Sequence, residues 1–193
     1  MKLPFAFYQD QDVTVVAREL LGKTLVTQSS EGLTAGTIVE TEAYSFRERG
    51  CHAYQNRMTP RNRIMFEAGG VAYVYLIYGI HHMFNVVTNV KGQAEAVLVR
   101  ALEPLQGVDL MQTRTEVNSP HRITAGPGKL AKAMGIDQRA NGKSLRSPDL
   151  WIEDTGFNPS QVKKSPRIGI DYAGPDAKRL WRFSIKGNAW VSR

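Results

Sequence analysis

Hydrophobic and polar positions alternate most clearly in three parts of the chain. Leu33–Tyr44 ends in VETEAY, where a period of two puts Glu40, Glu42 and Tyr44 on one face and Val39, Thr41 and Ala43 on the other. VAYVYLIY (residues 71–78) and IHHMFNVVT (80–88) read as two strands of a hairpin turning at Gly79. AVLVRALEP (96–104) is a further strand with Arg100 near its end. Shorter strands are predicted at Lys23–Thr27, Asp149–Glu153, Arg167–Asp171 and Leu180–Ile185. Helical patterning is confined to Asp12–Leu21, capped by Asp12 and stopped by Gly22, and to Gly107–Thr113 and Gly126–Met134. Ser45–Arg63 is polar and Arg-rich without periodicity and is expected to be a long loop. The order is mixed and not a βαβ alternation. It predicts an α+β fold with a largely antiparallel sheet, in one domain over residues 1–193.

Two acids and a phenol on one strand face raise a choice between a solvated sheet edge and a working carboxylate, since burying them is expensive. Residues i and i+2 lie roughly 6.5–7 Å apart, near the lower end of the carboxylate spacing in inverting glycosidases. Adjacent residues on one face cannot easily flank a sugar from both sides. One base with a supporting neighbour is the better division of labour.

Charge narrows the partners. Lys and Arg number 25 against 18 Asp and Glu, a formal net charge of +7, with pI near 9.6. This favours a polyanionic partner, either nucleic acid or an anionic membrane surface. The N-terminus MKLPFAFYQDQD turns acidic at once and does not read as a signal peptide. The most apolar window, Val71–Ile80, is far short of the roughly 20 residues a membrane-spanning helix needs. Cys51, the single cysteine, excludes an internal disulfide framework and a multi-thiolate zinc site, and points to a reducing compartment. His81 and His82 are adjacent and face opposite ways on a strand, and no HExxH spacing occurs, so no metal is expected. No lysine lies in an apolar run that would prepare it for Schiff-base chemistry.

Tyr78, beside the Gly79 turn, is badly placed for a core and well placed for a protruding wedge. Tyr73 reads as core. Arg61 and Arg63 in TPRNR, with Arg57 nearby, suit phosphate recognition. A basic loop, an exposed aromatic tip and a strand carboxylate are what an enzyme needs to extrude a nucleotide and act on its base.

These blocks, taken in order, carry a resemblance. VETEAY, His52, TPRNRIMF, YVYLIYGIHHMFN, LVRALEP and AGPGKLAKAMGI strongly resemble the alkyladenine (3-methyladenine, methylpurine) DNA glycosylase family from about Ile38 to Ile136. A weaker match, RIGIDYAG then WRFSIKGNAWVS, follows. The resemblance implies a compact domain around a curved antiparallel sheet, needing no cofactor. It implies that Glu42 is the general base, that Arg100 helps hold the attacking water, and that Tyr44, His52 and Tyr75 stack on or contact the flipped base. Asn85 would line the pocket and Tyr78 would intercalate. Arg61, Arg63 and Lys129 are the expected backbone contacts.

The expected activity is base-excision repair by a monofunctional enzyme. It would release alkylated or deaminated purines from double-stranded DNA and leave an abasic site. A monomer without membrane attachment is expected, cytoplasmic and nucleoid-associated in a bacterium or nuclear in a eukaryote. The alternatives are a non-catalytic nucleic-acid-binding protein and a sugar O-glycosidase using Glu40 and Glu42.

Overall fold

A computed structural model describes residues 1–192. Its centre is β2 (Gly32–Ser45), which pairs along one side with β5 (Glu95–Gln106). Along its other side it pairs first with β1 (Thr24–Ser29) and then, through Glu40–Glu42, with β8 (Arg182–Ile185). The sheet runs β3 (Ala72–Ile77), β4 (His81–Val87), β5, β2, β1, β6 (Leu150–Glu153), and β7 (Val162–Ser165) hangs on β8. Every strand pair among the described residues is antiparallel, and the sheet curls into a half-barrel. This is the expected α+β class.

Alternation assigns the two faces. Ala43, Ala72, Val74, Phe84, Val86, Val97 and Val99 join the main core with Tyr8, Leu20, Met111 and Leu130. Four helices also contribute to that core: α1 (Phe5–Tyr8), α2 (Val13–Glu19), α3 (Val108–Thr115) and α4 (Pro127–Ala133). Asp12 caps α2 by accepting the Thr14 N–H at 2.8 Å, and Thr41 Oγ1 donates to the Ala17 carbonyl at 2.7 Å, seating the helix on β2. Gly22 has φ 86° and leaves no room for a side chain, since a Cβ would come within 2.7 Å of the Phe157 carbonyl.

The opposite face carries a smaller cluster built on Cys51, Met65, Phe66, Tyr73 and Ala96, with Tyr44 and Tyr75 packed against it. It is covered by the segment following β2.

One expectation needs correction, while the Ser45–Arg63 loop is found as expected. Arg167–Asp171 is not a strand. The strand lies just before it, at Val162–Ser165, where Lys163 and Lys164 point outward as suits an edge. The apolar alternation of RIGI instead serves burial, with Arg167 and Ile170 inside. The Ser45–Arg63 segment is ordered by buried polar contacts, with short 3₁₀ turns at Tyr54–Asn56 and Arg63–Phe66. Asn62, 1% exposed, donates to the His52 and Arg57 carbonyls and accepts the Thr59 N–H, leaving Arg61 and Arg63 on the outside.

Candidate active site

The site grows from one cross-strand row. Tyr73 pairs with Asn85, Asn85 with Leu98, Leu98 with Glu42 and Glu42 with Arg182, so five strands bring one residue each to the same line. The next positions add Tyr75 opposite Met83 and Tyr44 opposite Ala96. Two of the three irregularities between β2 and β5 adjust this grid: Val39 is an extra residue in β2 and Arg100 an extra residue in β5, after which the register is restored. The bulge places Arg100 between the rows of Glu40 and Glu42, where it reaches both.

Glu40 and Glu42 are wholly buried, so the solvated-edge reading of VETEAY fails. Glu42 Oε1 accepts the Ile168 N–H at 2.8 Å. Its Oε2 accepts the Tyr44 hydroxyl at 2.8 Å and the Arg100 Nη1–H at 3.4 Å. A carboxylate offers about four acceptor positions, and three are taken. Burial, and then the Glu42 charge, raise the Tyr44 pKa well above its ordinary value, so the phenol keeps its proton and donates it.

In front of this cluster is a cavity of about 400 Å³ lined by Tyr44, His52, Tyr73, Tyr75, Asn85 and Arg100, with Ile168, Ile170 and Tyr172 from the segment after β7. The His52 ring lies 4.6 Å from the Tyr75 ring, and Tyr73 lies 5.3 Å from Tyr75. Tyr73 is both core and wall: it is 1% exposed, and its hydroxyl is 3.0 Å from His52 Nδ1. Burial pushes Tyr75 up to about 12. Loss of water, with the Arg61 cation as a second cause, lowers the His52 pKa from 6.5, so the ring is neutral at pH 7. Asn85 spends its amide N–H groups on the Tyr73 and Met83 carbonyls, which leaves its side-chain oxygen to offer a ligand.

At the mouth the hairpin tip stands clear. Tyr78 is 86% exposed and joined by exposed Leu76 and Ile80. Tyr78 (φ 52°) and Gly79 (φ 72°) are both left-handed, as a tight I′-type hairpin turn demands, and the bulky tyrosine bears the strain. The Arg61 guanidinium lies 5.4 Å from the Tyr75 ring. Arg63 and Lys129 are exposed but line no part of the cavity. A wider groove of about 850 Å³ shares His81 with it. The acids there are committed to their own partners: Glu31 to Arg114, Asp137 to Arg139 and Asp149 to Lys143.

Sequence reasoning missed Arg167. Fully buried, it forms a two-pronged pair with Glu48 at 2.7 Å per bond and donates to the Ala43 carbonyl at 2.9 Å. Its guanidinium lies 4.7 Å from the Tyr44 ring and 5.2 Å from that of Trp181. It thereby fixes the backbone that presents the Ile168 N–H to Glu42. The only signal was a charged residue at the head of an apolar stretch. Among the described residues, no three His, Cys, Asp or Glu side chains group as a metal site, and no helix is long and apolar enough to cross a membrane.

A sealed acid behind an aromatic cavity, with an exposed hairpin tip beside the opening, is an arrangement suited to an enzyme that acts on a base. Residues 6–189 match the family described as methylpurine-DNA glycosylase, and the chain belongs to that family of DNA N-glycosylases. Its relatives agree over their whole length. A Methanocella arvoryzae protein, provisionally named a 3-methyladenine DNA glycosylase, is 47% identical across 99% of this chain and 96% of its own. Similarly named proteins of Methanoculleus marisnigri and Bacillus licheniformis are 46% identical (all of both chains) and 44% identical (99% and 96%).

Proposed function

We propose that this chain acts as a monomer on duplex DNA in base-excision repair. It extrudes alkylated or deaminated purines, of the 3-methyladenine, 7-methylguanine, hypoxanthine and ethenoadenine class, and hydrolyses their N-glycosidic bond to leave an abasic site. The observation that carries this reading is Glu42: a buried carboxylate directly behind Tyr44 and Arg100, with one acceptor position unfilled.

Cleavage builds oxocarbenium character on the sugar. A carboxylate held in low dielectric stabilises that charge and takes a proton from the attacking water. Arg100, anchored to Glu42 and facing the cavity, helps hold the water. Tyr44, His52 and Tyr75 sandwich the base, Asn85 reads its edge, and Tyr78 fills the gap left in the duplex. Arg61, Arg63 and Lys129 contact the phosphates.

The O-glycosidase alternative needs two carboxylates on opposite sides of a sugar. Here both share Arg100, and Glu40 is enclosed on its other side by Arg182 and the Ser192 N–H. The non-catalytic alternative gives a buried, unshared acceptor no task.

Glu42→Gln keeps the volume and removes the base. Single-turnover base release from duplexes carrying one defined lesion should fall by roughly 10²–10⁴-fold, the usual scale for a lost general base, while lesion-DNA binding persists. Release at the wild-type rate would end the proposal.

A further inference from the structure

Glu40 has no part in the mechanism above, yet it is as buried as Glu42. Its Oε2 accepts the Ser192 N–H at 2.7 Å. Its Oε1 lies 3.3 Å from Arg100 Nε and 3.3 Å from Arg182 Nε, and none of these three atoms makes a directed hydrogen bond among the described residues. The attraction is therefore that of charges in contact, without a fixed fork.

We propose that Glu40 is a positioning residue for base excision, slinging the Arg100 guanidinium between two carboxylates so that it does not collapse onto Glu42. The proposal rests on the roles of Glu42 and Arg100 given above.

Stability does not require this arrangement, because a buried ion cluster is commonly no better than well-packed apolar residues. Its effect on Arg100 is specific. Nε faces Glu40 and Nη1 faces Glu42 at 3.4 Å, a long contact on each side. The two acids and two arginines sum to zero charge. Without Glu40, the Arg100 cation would face Glu42 alone. Arg100 would then close up as a tight pair, dulling the charge that must meet the sugar and crowding the acceptor position the water needs.

The test is a double-mutant cycle on single-turnover release from hypoxanthine and 7-methylguanine duplexes, using Glu40→Gln, Arg100→Gln and the double variant. Glu40→Gln should slow release about tenfold or more, as misplaced catalytic groups do. Binding to a duplex with a tetrahydrofuran abasic analogue should hold within about threefold, and Glu40→Asp should restore part of the rate. In the Arg100→Gln background the Glu40→Gln change should have no further effect. Equal slowing in both backgrounds, or wild-type rates in Glu40→Gln, would overturn the proposal. Thermal melting accompanies each variant, and if Glu40→Gln melts below the assay temperature, Glu40→Asp carries the same cycle. Failure of the underlying reading shows separately, as undiminished release by Glu42→Gln.

Discussion

The hairpin tip and the acid cluster belong to one site but obey opposite rules. At the tip, Tyr78, Ile80 and Leu76 stand in solvent, apolar and without partners. Their cost is conformational, concentrated in the left-handed backbone of Tyr78. Around Glu40 and Glu42 both acids are buried, and Glu40 Oε1, Arg100 Nε and Arg182 Nε meet as charges without directed hydrogen bonds, so the cost is electrostatic and is met by neighbours from β2, β5, β8 and the segment after β7. Side chains at the tip are free to be chosen for what they do to a partner. Those in the cluster are bound to one another, and no single change there stays local.

The contrast breaks first at Arg167. Arg167→Ala strands Glu48, fully buried, without its only side-chain partner among the described residues, and should destabilise the protein by about 3–5 kcal/mol. Denaturant unfolding measures this, and a loss within the range of an exposed ion pair would mean that the cluster is no more demanding than the surface.

Tyr78 should behave the other way. Tyr78→Gly relieves the left-handed strain and should raise stability by roughly 1 kcal/mol. It should slow excision from duplex about tenfold, the scale of a lost stacking side chain, with a smaller effect on single-stranded substrate. Equal slowing on both substrates would make the tip a packing element after all.

The smallest effect belongs to His52, between the two regions. Its pKa is lowered from 6.5, so its neutral form favours the folded state above that value. That contribution is lost as pH falls through the lowered folded pKa. A protonated His52 would also oppose a cationic base in the cavity. As pH falls through the lowered folded-state pKa of His52, release of 7-methylguanine should therefore decline severalfold more than release of neutral hypoxanthine. His52→Asn should erase the difference, and parallel profiles in the wild type would remove His52 from base contact.

How much of this was legible in the sequence follows the same divide. The β3–β4 hairpin, the long β2 and the protruding Tyr78 could be read because alternation and a Tyr-Gly turn are local signals. The compensating bulges at Val39 and Arg100 could not, since two extra residues on paired strands cancel in the register and leave no mark on either pattern. Burial of Glu40 was invisible for a related reason: its partners, Arg182 and Ser192, come from the far end of the chain. VKKS carries no strand signal because an edge strand needs little apolar surface. RIGI looked like a strand because Arg167 and Ile170 face inward for other purposes.

The bond from Ser192 to Glu40 spans 152 residues. As the chain leaves the ribosome, β1 to β5 can find one another while Glu40 still lacks the group that closes its second oxygen. The half-barrel can take shape early. Its acid cluster is completed only when residue 192 has been made and folded back, which ties closure of the cluster to a late segment and not to the formation of the sheet.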